Sequence, residues 1–153
     1  MTASKALRAL REAIVLEHLE SENEHEFDTA VGAFDDPRCE IVATGQVFEG
    51  RAEVAGYYAR VSDAFPDQHS TLVALHHADD AVIVELELEG THLGSLRGEE
   101  PTGRAFRVRT TAFFVFDDAR LVGKRVYDGQ VGGQDHGGQV GGDRVGPAPA
   151  LTT

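Results

Sequence analysis

The chain has 153 residues, 14 of them basic and 26 acidic, with a net charge of −12 and a hydrophobic fraction of 41%. That length fits one domain with a single core. The acidic balance opposes binding to nucleic acid or to anionic membrane surfaces, which need a basic patch. Cys39 is the only cysteine, so no internal disulfide can form. No apolar run has the length of a membrane span, and "MTASKALRALREAIVLEHLE" is amphipathic rather than a signal peptide, which leads to the expectation of a cytoplasmic protein.

Residues 4 to about 22 read as a helix, with Leu7, Leu10, Ile14 and His18 forming one stripe and Arg8, Arg11, Glu12 and Glu20 lying mostly off it. "EFDTAVGAF" continues as a short second helix, and "DDPR" stops it because Pro37 disfavours helix in the residue before it. "CEIVAT" reads as a short strand. "VFEG" leads into a third helix over about 51–64, with Val54, Tyr57, Tyr58 and Val61 as its apolar members, and "FPD" ends it. "HSTLVALHHA", "AVIVELELEGTHL", "RAFRVRTTAFFVF" and "LVGKRVYD" are then four strand-like segments. The pairs "DD" at 79–80 and "DDAR" at 117–120 mark hairpin turns, and "GSLRGEEPTG" is a longer loop. Helices followed by a strand meander predict an α+β fold, a curved antiparallel sheet with N-terminal helices packed on one face. Residues 1–129 form the predicted domain. Residues 130–153, rich in Gly and Pro, read as a disordered tail.

Alternation along the strands separates an inner from an outer face. Val82, Val84, Leu86, Leu88 and His92 share one face, and Glu85, Glu87 and Glu89 share the other, which must be the wet one because three carboxylates cannot be buried unpaired. Phe106, Val108, Thr110, Ala112, Phe114 and Phe116 point inward by the same logic, with Arg107 and Arg109 outside, beside the outer glutamates. In the last strand Leu121, Gly123, Arg125 and Tyr127 share one face, and Val122, Val126 and Asp128 the other, with Lys124 as an exception; that parity stays open. So does the register at Gly90, where a bulge would turn His92 round. If it holds, an imidazole and a carboxylate share a mostly apolar interior, joined by His18 from the first helix. That is the make-up of a small-molecule site. Burial would raise the pKa of Asp128, as acid/base work requires.

"FPD", "GTHLG", "PTGR" and the terminal "RVYD" together resemble the SnoaL-like polyketide cyclase (ester cyclase) family of the nuclear transport factor two-like superfamily, over roughly residues 10–128. The resemblance implies a cone-shaped α+β barrel around a deep pocket, a homodimer through the sheet, and acid/base chemistry without metal or organic cofactor. It implies Asp128 as acid/base and His92 as its pocket histidine. "H", "N" and "D" at His18, Asn23 and Asp28 follow the subfamily pattern. The expected function is ring closure by aldol condensation, or isomerisation, of a hydrophobic carbonyl compound. Phe106, Phe114, Phe116, Tyr57 and Tyr58 would hold the ligand beside His18.

Plainer readings stand beside these. Asp128 is equally a strand-end carboxylate bonded to backbone amides, His92 a core histidine satisfied by its neighbours, and His18 a helix residue at the core edge. His76 and His77 point to opposite faces, so no metal site is expected. Two other functions share the fold: a non-catalytic ligand-binding or dimerisation domain, and an epoxide hydrolase, which would need an Asp–Arg–Asp set built on Asp28 and Asp128.

Overall fold

The computed structural model describes residues 3–96 and 98–128; the predicted tail lies outside the described residues. The element order is α1 (Lys5–Asn23), α2 (Phe27–Gly32), β1 (Arg38–Ile41), β2 (Gln46–Glu49), α3 (Gly50–Ala64), β3 (His69–His77), β4 (Ala81–Thr91), β5 (Ala105–Asp117) and β6 (Arg120–Asp128). The strands form one unclosed six-stranded sheet in the order β2-β1-β6-β5-β4-β3. All neighbours are antiparallel except β1 and β6, which run parallel. The predicted α+β class is therefore the observed one. No helix among the described residues is long and apolar enough to cross a membrane.

The long strands follow the predicted alternation. Val82, Val84, Leu86 and Leu88 of β4, and Phe106, Val108, Thr110, Ala112, Phe114 and Phe116 of β5, are all buried. The register between β4 and β5 runs unbroken from Ala81↔Val115 to Thr91↔Ala105. No bulge occurs at Gly90, so His92 keeps the inward parity and is buried. A Cβ on Gly90 would stand 3.0 Å from the Phe106 ring directly opposite; glycine there leaves room for that ring. On the outer face Arg107 meets Glu89 at 3.4 Å and Glu87 at 3.9 Å, the expected cross-strand pairing.

Three details depart from the sequence reading. Most of "VFEG", read as a lead into the third helix, belongs instead to β2 (Gln46–Glu49), whose partner is β1. In β6 a register shift between Val115 and Phe116 puts Leu121 opposite Phe116 and Lys124 opposite Phe114. Both side chains then join the buried face, so Leu121 parts from Gly123, Arg125 and Tyr127, and Lys124 is interior rather than an exception. The third departure is the face of α1. Its buried residues are Arg11, Val15, His18, Leu19 and Ser21, while Leu10 is 48% exposed.

Arg11 explains that rotation. Its Nε donates to the Asp118 carbonyl and its terminal nitrogen to the Asp79 carbonyl, both at 2.8 Å, with the guanidinium over the Phe116 ring. One buried cation thus satisfies carbonyls in both hairpin turns, which offsets its desolvation. Behind it, Val15, Leu19, Phe34, Val82, Val84, Leu86, Ala112, Phe114, Phe116 and Leu121 make the central core between α1 and the sheet. Phe65, Phe106, Leu88 and Leu96 pack a second cluster under α3.

Candidate active site

Between α1, α3 and the concave face of the sheet lies a cavity of about 70 Å³. Its apolar wall includes Phe27, Tyr57, Val61, Phe65, Leu86, Leu88 and Val126, and its polar members include Glu22, Asn23, Tyr58, Gln68, Thr110 and Lys124. Strands β3 to β6 contribute Ser70, Leu86, Leu88, Thr110, Ala112, Lys124 and Val126; α1 and α3 contribute Glu22 and Tyr58 from the faces they pack against the sheet.

The polar groups converge on one cluster. Lys124 Nζ lies 3.2 and 3.4 Å from the two Glu22 carboxylate oxygens and 3.4 Å from the Tyr58 hydroxyl. The Phe114 ring sits 5.3 Å from the same ammonium, a cation–π contact. His18 adds its Nε2, 3.3 Å from Tyr58 Oη and 3.3 Å from Glu22 Oε1. Its Nδ1 lies 2.9 Å from the Ala30 carbonyl. A carbonyl only accepts, so Nδ1 carries a hydrogen. The neutral ring then accepts at Nε2 from the Tyr58 hydroxyl, and the protonated ring donates there to Glu22. One proton on His18 switches which neighbour it serves.

The cluster sets the ionisation of its members. Burial acts to raise the Glu22 carboxyl, but the Lys124 charge, then His18 and the hydrogen bonds from His18 and Tyr58, overcome it and hold the group well below the usual carboxylate range. Burial, followed by the Glu22 charge, drives the Tyr58 phenol well above its ordinary value, so it stays protonated. Burial likewise raises the Cys39 thiol to about 11, which keeps it an unreactive apolar group. The cavity therefore presents a phenol donor, an ammonium and a carboxylate against an apolar wall.

At the far side, Asn23 makes two reciprocal 2.8 Å hydrogen bonds with the backbone of Ser70, which ties the end of α1 to the edge strand β3. His25 Nε2 lies 3.1 Å from the Gln68 carbonyl. Gln68 Oε1 is buried and has no hydrogen-bond partner, leaving an acceptor for a ligand at the cavity.

The residues singled out from sequence divide accordingly. Tyr57 and Tyr58 line the cavity. His18 is buried behind it and reaches it through Tyr58 and Glu22. Asp128 pairs in backbone register with Thr110, a lining residue; its side chain lies outside the described part of the molecule. Phe106, Phe114 and Phe116 are buried in the two core clusters rather than in the described cavity lining. Asp28 is exposed on α2 and no arginine is among the described lining residues, so the acid–arginine–acid set of an epoxide hydrolase is not assembled from Asp28.

His92 is also outside the described lining. Its Nδ1 accepts from the Thr102 amide at 3.3 Å and lies 3.1 Å from the Thr102 hydroxyl. Its backbone donates to the Arg104 carbonyl and accepts from the Gly103 amide. The motifs "GTHLG" and "PTGR" therefore hold each other. "GTHLG" also clasps the end of α3, where the amides of Leu93 and Gly94 both donate to the Ala64 carbonyl. A Cβ on Gly94 would collide with the Asp63 carbonyl. Because a backbone N–H can only donate, the neutral His92 ring carries its hydrogen on Nε2, which is buried without a partner.

Sequence reasoning missed Glu22 and Lys124. The signal for Glu22 was its position one helical turn after His18, which puts both on one face. For Lys124 it was its alternation with Val126 and Asp128 along β6, which places it opposite Phe114.

No group of three or more His, Cys, Asp or Glu residues among the described ones is arranged to hold a metal ion. No curated protein matches the chain. Among solved structures, a protein of Jannaschia sp. CCS1 assigned as a SnoaL-like polyketide cyclase superposes with a TM-score of 0.72 at 18% identity, covering 78% of this chain and 85% of that one. IdmH of Streptomyces antibioticus, assigned as a polyketide cyclase, superposes with a TM-score of 0.65 at 20% identity over 77% and 91% of the two chains. A Catenulispora acidiphila protein with a ketosteroid isomerase-like fold, solved with trimethylamine, gives 0.64 at 19% identity over 74% and 83%. At such identities the likeness is one of fold. The model of the SnoaL-like domain matches residues 15–123, most of the described chain, and on that match the protein belongs to the SnoaL-like domain family.

Proposed function

We propose that the protein is an acid/base enzyme that needs no cofactor and acts on a hydrophobic carbonyl compound, by ring closure of the polyketide cyclase type or by isomerisation. The observation that carries this reading is the meeting of the Tyr58 hydroxyl and the Lys124 ammonium, 3.4 Å apart, at the wall of an otherwise apolar cavity. A carbonyl oxygen entering there finds a phenol that is held protonated and is therefore a donor as the oxygen gains charge. Asp128, two residues after the lining Val126 and in register with Thr110, is the assigned base for the proton α to the carbonyl. His18 takes up or returns a proton through Tyr58.

The cavity limits what enters. Its 70 Å³ compares with roughly 150 Å³ for a void that holds one benzene ring. The reactive carbonyl end fits as the side chains stand, and the bulk of a larger ligand rests at the mouth or displaces Tyr57 and Phe27. A homodimer through the outer face of the sheet belongs to the same proposal, supported by the exposure there of Tyr127 at 40%. Analytical ultracentrifugation tests it, and a monomer at micromolar concentration would discard it.

Turnover of small cyclic and aromatic ketones by the wild type and by Asp128→Asn and Tyr58→Phe tests the enzymatic reading. Removing one preorganised donor costs about 10²–10³ in kcat. Unchanged kcat in both variants would remove Asp128 and Tyr58 from the chemistry, and no turnover of any ketone by the wild type would leave a ligand-binding domain as the better account.

A further inference from the structure

We propose that Lys124 is a nucleophile that condenses with the bound carbonyl compound to form an iminium. This rests on the acid/base reading above and specifies how the carbonyl is activated. The chain's 14 basic residues are 12 arginines and two lysines. Lys5 is exposed near the start of α1. The other is Lys124, 8% exposed and the only lysine or arginine among the described cavity-lining residues.

A cation buried only for structure is better made of arginine, which offers five donors and keeps its charge. This protein does so at Arg11, whose guanidinium bonds two turn carbonyls. Lysine differs in that its ammonium can lose a proton and become a nucleophilic amine. Lys124 also lies where such a loss has a route. Its Nζ bonds the Glu22 carboxylate at 3.2 Å, and the other Glu22 oxygen is 3.3 Å from His18 Nε2, the nitrogen that carries no hydrogen in the neutral ring because Nδ1 donates to the Ala30 carbonyl.

The step balances without an added reagent. The ammonium proton passes by way of Glu22 to His18. The amine lone pair attacks the carbonyl carbon, the C–N bond forms, the carbonyl oxygen takes a proton from Tyr58, and His18 returns its proton to Tyr58. The nitrogen, now cationic, then gives up its second proton by way of Glu22 to His18, leaving a neutral carbinolamine with a lone pair on nitrogen. The C–O bond then breaks, the oxygen leaves as water with a second proton, relayed from His18 through Tyr58, and the nitrogen lone pair closes the C=N⁺ bond. Carbonyl plus ammonium gives iminium plus water, with charge conserved. The iminium acidifies the α-carbon from which Asp128 draws its proton.

Two lysines make the test clean. The full-length protein is incubated with propanal and sodium cyanoborohydride, and modification is located by peptide mass spectrometry. A propyl group on Lys124, formed at least as fast as on exposed Lys5, is the expected result; Lys124→Arg should lose it while Lys5 labels as before. Label on Lys5 with Lys124 unmodified in the folded protein overturns the proposal, and this reading in the wild type depends on no variant. Borohydride added during ketone turnover should inactivate the enzyme. Turnover that survives it refutes the iminium and leaves the acid/base reading standing. Label on Lys124 with no ketone turned over upholds the nucleophile and removes the acid/base reading.

Discussion

Glu22 and Lys124 stand 102 positions apart in the chain and meet at 3.2 Å in the cavity wall. The first is placed by α1 and the second by a bulged β6, so the pair records how the helix docks on the sheet. Removing one partner strands the other charge among apolar groups.

Glu22→Gln is therefore expected to lower unfolding stability by on the order of 3 kcal/mol, and Lys124→Met by a similar amount. The double variant should recover much of that loss, because no charge is left uncompensated. Urea denaturation of all four proteins measures the coupling. Additive losses would show that the pair contributes nothing as a pair.

The same carboxylate gives the stability a pH dependence of definite sign. The folded pKa of Glu22 is depressed from 4.5, so the unfolded chain binds the proton more readily. The stabilisation is present in full above the ordinary value of 4.5 and is lost progressively as pH falls below it. Melting curves from pH 7 to pH 3 should show a steeper fall of Tm for the wild type than for Glu22→Gln. Parallel profiles would remove Glu22 from the acid response.

Gly94→Ala brings a methyl group against the Asp63 carbonyl. That carbonyl is backbone at the end of α3 and has little freedom to yield, so the "GTHLG" segment must lift. The expected cost is about 3 kcal/mol, visible in a Tm drop with faster amide exchange at Leu93 and Gly94. A Tm within a degree of wild type would show that the clasp is dispensable.

His92→Asn separates the two readings of that residue. Its ring accepts from the Thr102 amide and lies outside the described cavity lining. The variant should lose about 1–2 kcal/mol of stability while kcat for a turned-over ketone changes little. A large fall in kcat at unchanged Tm would return His92 to the catalytic step.

Arg11→Met leaves two turn carbonyls, those of Asp79 and Asp118, without their shared donor. Methionine fills most of the arginine's volume, so the loss reports on polar satisfaction. About 2–3 kcal/mol is expected. Hydrogen exchange should quicken at both hairpins together, and a change confined to one would refute the shared anchor.

The local periodicities of the chain determined much of this fold. Strict alternation in 81–92 and 104–116 set the buried face of β4 and β5, because pleated side chains must alternate and carboxylates cannot be buried unpaired. It also pointed to an interior His92, but the unbroken register at Gly90 decided that, and what the ring meets. Motif order pointed to the SnoaL-like family, since "GTHLG" and "PTGR" encode a loop that grips its own strand. The tertiary structure alone decided three things: which face of α1 is buried, that a bulge in β6 turns Leu121 onto the buried face with Lys124, and that Glu22, His18, Tyr58 and Lys124 form one cluster. Each depends on where a distant segment lies. Arginine at position 11 looks solvent-facing until two turn carbonyls approach it, and a lysine in a strand looks external until a carboxylate from a distant helix meets it. Local pattern carries which residues want to be dry; only the docking of helix on sheet determines which polar groups are buried with them and find one another there.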